Sequence, residues 1–87
     1  MTDWTCLLDA YARAERAAGH RPETIRTRLS YLRRWAGTGP VETDHQRMVD
    51  WLACPGWAPS TRKGARQALR SFYRWARITG IVATDPT

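Results

Sequence analysis

Soft metal ligands are scarce in this chain. Cysteine occurs twice, at Cys6 and Cys54, and histidine twice, at His20 and His45, in 87 residues. The four lack the close CxxC or HxxxH spacing that lets two ligands share one turn, so no zinc site is expected. Two cysteines make at most one bridge, which excludes a disulfide-stapled scaffold and predicts reduced thiols. No apolar run approaches the roughly 20 residues that span a bilayer, and the N-terminus carries Asp3 without the basic lead of a secretory signal. The chain is expected to be intracellular. Glycine-rich phosphate loops are missing too, since Gly37 and Gly39 lie in a turn with no Lys-Ser or Lys-Thr after them. The eight acids are scattered over what read as outer helical faces, with no pair placed as general acid and base. His20 and His45 sit at a helix end and beside a cap. No catalytic residue, metal or cofactor is expected.

What the chain has in excess is positive charge. Its 87 residues, 43% hydrophobic, suffice for one domain over residues 1–87 with one modest core. Fourteen bases against eight acids give a formal charge of +6. Thirteen of the bases are arginines and Lys63 is the only lysine. A GC-rich genome would produce the same preference, so the distribution of charge matters more than its chemistry. Residues 1–20 carry two bases and three acids, 21–37 five and one, 38–57 one and three, and 58–87 six and one. The excess is confined to the second and fourth quarters.

Apolar spacing and punctuation predict four helices, and no stretch shows the two-residue alternation of a half-buried strand, so the expected fold is all-α, a compact bundle of four helices. The first runs from about Asp3 to Ala18, with Trp4, Leu7, Leu8, Tyr11, Ala14 and Ala18 inward, Thr2 or Asp3 before it and Gly19 ending it. Its outer face is expected to carry Asp9, Arg13, Glu15 and Arg16. The second opens at Pro22 and ends at Gly37, with Ile25, Leu29, Leu32 and Ala36 as the buried stripe, Trp35 on its flank, and Glu23, Thr27, Ser30, Tyr31 and Arg34 opposite. The third, about Asp44 to Ala53, starts with a Thr43–Gln46 capping box and turns Met48, Val49 and Leu52 inward. Pro55, Gly56 and Pro59 then force a loop.

The fourth helix, Thr61 to Thr79 with Ser60 as N-cap, is the most two-sided. With Thr61 at 0°, Ala65, Ala68, Leu69, Phe72, Trp75 and Ala76 lie between about −40° and +80°, and Arg62, Lys63, Arg66, Arg70, Arg74 and Arg77 between about 100° and 220°. It carries six bases and no acid. A merely solvated face usually mixes signs, because like charges at i,i+4, as in Arg62/Arg66/Arg70/Arg74, cost a few tenths of a kcal/mol per pair. Such a stripe, with the basic second helix, is the footprint of a nucleic-acid binder. An acidic protein partner is the next reading. A membrane surface is the weakest, because the apolar side is needed for the core. Trp4, Trp35 and Trp75 read as core, whereas Trp51 and Trp57 read as core edge or partner contacts.

The order of these pieces resembles the core-binding, or SAM-like N-terminal, domain of tyrosine recombinases, the phage integrases among them. The features that carry the resemblance are Gly19-x-x-Pro-Glu-Thr24-Ile25, Val41-x-Thr43, Ser60-Thr-Arg-Lys-Gly-Ala-Arg-Gln-Ala-Leu-Arg-Ser-Phe-Tyr-Arg-Trp-Ala76 and Gly80-Ile-Val-Ala-Thr-Asp-Pro86. Asp85 stands where the family more often has Asn, and Arg28 where it often has Tyr. The resemblance implies a non-catalytic domain that lies on one face of a double-stranded recombination core site. The second and fourth helices would approach the major groove, and a catalytic domain, expected after residue 87, would grip the other face. It implies Thr24, Thr27 and Tyr31 as a groove-facing row with Arg28 and Arg34 beside it. Lys63 and Arg66 would enter the groove, and Ser60, Thr61, Arg62, Arg70 and Arg74 would meet phosphates. Further recombinase protomers on the DNA, and a cytoplasmic, nucleoid-associated setting of bacterial or phage origin, are implied with it. A helix-turn-helix regulator is a third reading, weakened by the long Gly37–Thr43 connection between the second and third helices.

Overall fold

A computed structural model describes residues 3–87 and is all-α there, with α1 Trp4–Ala17, α2 Pro22–Ala36, α3 His45–Leu52 and α4 Pro59–Ile78. The chain gathers into two compact units, Met1–Val41 and Glu42–Thr87.

In the first unit α1 packs on α2. Asp3 is the N-cap of α1, its carboxylate accepting from Thr5 N at 3.0 Å, while Thr2 lies outside the described residues. The turn to α2 is built on Gly19 at φ +86°, a left-handed conformation that side chains disfavour. There Gly19 N donates to Arg16 O and His20 N to Glu15 O, the paired bonds that close a helix C-terminus. Trp4 Nε1 donates to Gly39 O at 2.9 Å and ties the start of α1 to the loop after α2. Two expectations are corrected. Ala12, not Ala14 or Ala18, is the alanine buried on α1 beside Leu7, Leu8 and Tyr11. On α2 the flanking Trp35 is fully buried with Ile25 and Leu32, and Leu29 and Ala36 are only half-buried. The bulkiest apolar side chain has the most surface to withdraw from water, so the helix is rotated toward it.

In the second unit α3 packs on α4. The Thr43–Gln46 capping box does not form. Asp44 is the N-cap, accepting from Arg47 N at 2.7 Å, and the Thr43 hydroxyl meets Arg47 Nη1 at 3.1 Å. Asp and Thr compete here for the same backbone donors, and a carboxylate is the stronger acceptor. The start of α4 is also shifted. Pro59 takes the first helical position, where its missing N–H costs nothing, so the N-cap is Ala58 and Ser60 lies inside the first turn. Ala65, Ala68, Leu69, Phe72, Tyr73 and Ala76 are buried, with Phe72 and Tyr73 edge to face at 5.1 Å, while Trp75 is half-buried. Gly80, at φ +81°, ends the helix as expected, with Ile81 N donating to Ala76 O at 2.8 Å. Val49, expected inward, is 39% exposed because Met48 alone fills the inner position on this short helix. Trp51 and Trp57 pack edge to face at 4.9 Å and are both half-buried. Among the described residues no helix is long and apolar enough to cross a membrane.

Candidate nucleic-acid interface

The buried arc of α4 is wider than the apolar spacing implies, because Tyr73, at about 120° on the wheel, is fully covered. What remains outside is a narrow cationic strip. Lys63, Arg66, Arg70, Arg74 and Arg77 are all exposed and lie between about 140° and 220°. None of the five makes an ion pair or side-chain hydrogen bond with a described residue. At 1.5 Å per residue the strip runs about 21 Å, a length over which one strand of a duplex advances by about six phosphates. Arg77, on the same arc, is a member of the strip that the resemblance did not single out.

At the start of α4, Arg62 has a different task. Its Nε donates to Leu52 O at 2.8 Å and its Nη2 to Cys54 O at 3.1 Å, so the guanidinium closes the carbonyl end of α3. Two of its donors are thus held by backbone carbonyls, which sets it apart from the free cations of the strip. Arg62→Ala should lower the unfolding free energy by roughly 1 to 2 kcal/mol, toward the low end for hydrogen bonds to charged groups. Urea unfolding measures this, and the salt dependence of DNA binding should stay as it was. Ser60 and Thr61, by contrast, carry first-turn N–H groups with no partner among the described residues, the arrangement that favours an anion at a helix start.

Between α3 and α4 lies a groove of about 270 Å³ whose floor is Met48, Val49 and Leu52 and whose α4 side is Arg66 and Arg70. His45 stands at its end, where Nδ1 meets Pro86 O at 2.8 Å. Arg66 and Arg70 thus each stand beside apolar surface as well as solvent.

Comparison with protein-family models, with curated proteins and with solved structures gives no match.

In the first unit the expected α2 row is present in part. Thr27 and Arg34 are exposed, and Thr24 and Tyr31 are half-buried on the same side. The Thr27 hydroxyl donates to Glu23 O at 2.9 Å, a bond within its own helix. Arg28 is not on that row. It is half-buried, with Nη1 at 2.6 Å from Glu15 Oε1. Burial alone would lower the affinity of its guanidinium for the proton, but the hydrogen bond and charge of Glu15 outweigh it and the net shift is upward. Glu15 also accepts from the Tyr11 hydroxyl and pairs with His20 Nε2 at 2.9 Å. Glu15, expected on the outer face, is only 5% exposed, and a carboxylate so covered persists only when it is paired. Arg28 is the partner that satisfies it, which engages its Nη1 within the first unit. Among the described residues no three His, Cys, Asp or Glu side chains gather where a metal ion would be held, and both cysteines are free.

Proposed function

We propose that this chain binds double-stranded DNA through the exposed face of α4, as the non-catalytic core-binding domain of a tyrosine recombinase. The observation that supports it is the strip Lys63–Arg66–Arg70–Arg74–Arg77, five exposed cations on one helix face with no acidic partner. A strip of this kind costs helix stability through like-charge repulsion and gains only when an anion of matching length lies against it. In this reading Lys63 and Arg66 face the major groove, and Arg70, Arg74 and Arg77 track the backbone. The N–H groups of Ser60 and Thr61 receive a phosphate. On α2, Thr24, Thr27, Tyr31 and Arg34 form a second polar row, each unit thus offering a contact face of its own. The resemblance extends the proposal to a catalytic domain of the same parent chain, to recombinase protomers assembled on the core site, and to a cytoplasmic, nucleoid-associated setting.

The test is binding of the 87-residue chain to a duplex selected from a randomised pool and to unselected duplex, at several salt concentrations. The three phosphates neutralised by Arg70, Arg74 and Arg77 give a slope of log K against log salt of about −2.7. Arg66→Ala should weaken the selected duplex more than the unselected one, by roughly 5- to 150-fold, the range for one bidentate guanine contact. Equal losses on both would reduce Arg66 to a phosphate contact.

A helix-turn-helix regulator has one observation in its favour. The α1–α2 connection has four residues and contains Gly19, the length and composition of such a turn, with α2 as the reading helix. On that reading Arg34→Ala, not Arg66→Ala, separates selected from unselected duplex.

A further inference from the structure

The rotation of α2 that buries Trp35 leaves an apolar edge of the helix uncovered. Leu29 is half-buried, and with Pro22 and Ile25 it lines a groove of about 280 Å³. The other lining residues are Arg16 of α1 and Arg26 and Arg33 of α2. All three arginines are exposed and none pairs with a described acid. On the α2 wheel this groove lies about 160° from the row of Thr24, Thr27, Tyr31 and Arg34, so a duplex lying on that row does not reach it.

We propose that this groove docks an acidic, apolar-tipped segment of a partner protein. Charge complementarity and shape together select that occupant. Arg26 precedes Leu29 by three residues and Arg33 follows it by four, which brackets an apolar contact between two arginines whose backbone positions are about 10 Å apart along the helix. The complementary segment is one large apolar side chain flanked by carboxylates, each able to take a bidentate arginine contact. A nucleic acid would satisfy the arginines but leave Pro22, Ile25 and Leu29 facing a charged, hydrated backbone. This face does not depend on the α4 proposal, and each stands or falls separately.

The experiment titrates the isotope-labelled 87-residue chain with a 15-residue helical peptide bearing Glu, Leu and Glu at i, i+4 and i+7, and with its Leu-to-Ala counterpart. The expected result is saturable NMR shifts confined to Arg16, Ile25, Arg26, Leu29 and Arg33. Affinity should be at least tenfold weaker for the alanine peptide and for an Arg26→Glu/Arg33→Glu chain. Saturating duplex DNA should change peptide affinity by less than twofold. Absence of saturable shifts, equal affinity for the alanine peptide, or displacement of the peptide by duplex would each overturn the proposal, the last by giving this face to DNA.

Discussion

Reversing two charges on α4, Arg70→Glu together with Arg74→Glu, is expected to weaken duplex binding by about 100-fold at moderate salt, a factor of about ten per lost phosphate contact. The loss should be alike on selected and unselected duplex, because these side chains are placed to meet the backbone and carry no base readout. The salt slope should become shallower by about 1.8, two contacts at 0.9 each. The fold should not suffer. Both arginines are exposed and make no internal bond, and glutamate at 70 and 74 would face Arg66, Arg77 and each other at helical spacing, replacing like-charge pairs with mostly opposite ones. The thermal midpoint should therefore hold or rise by a degree or two while binding collapses. An affinity that survives the double reversal would remove α4 from the interface and leave the α2 row as the candidate. A fall in binding matched by a fall in thermal midpoint would instead mark the residues as structural.

How much of this was legible beforehand depends on the kind of signal. The four helices, the Pro22 start, the Gly19 and Gly80 ends and the α4 strip all follow from local rules: fixed φ at proline, left-handed backbone at glycine, and charge on one face of a 3.6-residue period. Two helix starts differ from the expected ones where adjacent residues compete for one role. Asp44 takes the cap in place of Thr43, and with Pro59 at the first helical position the cap of α4 moves two residues, from Ser60 to Ala58, differences that local pattern resolves poorly. The bonds of Arg62 to the carbonyls of Leu52 and Cys54 reach backbone atoms across a loop, and nothing in side-chain pattern announces them. Glu15 and Arg28 are different, since the signal was present. With Trp4 at 0°, Glu15 lies at about 20°, between Leu8 and Tyr11, in the middle of the apolar stripe. Arg28 likewise lies between Trp35 and Leu32 on α2. Opposite charges within two facing apolar arcs are the pattern of a buried pair, visible on α2 only once Trp35 is counted in the arc.

That pair carries a large stability effect. Glu15→Ala leaves the half-buried Arg28 guanidinium and the buried Tyr11 hydroxyl without their carboxylate, and breaking a buried ion pair from one side costs about 3 to 5 kcal/mol. For 87 residues the whole stability is of the order of 4 to 13 kcal/mol, so the thermal midpoint should fall by about 12 °C or more. His20 adds little to this, since it is 43% exposed and water replaces the carboxylate at its ring. Replacing the whole cluster is another matter. Tyr11→Phe, Glu15→Leu and Arg28→Met together remove the donors and the acceptor at once, and such exchanges are often neutral or stabilising, so the triple variant should lie within about 1 kcal/mol of the parent or above it. Thermal and urea unfolding of the two variants measure the contrast. A cost below about 1 kcal/mol for Glu15→Ala would show that the cluster does not hold α1 to α2. The triple variant also decides the role of Arg28 on DNA. If the guanidinium serves only Glu15, the folded triple variant keeps the parent's salt slope, whereas a slope shallower by about 0.9 would return Arg28 to the phosphate contacts.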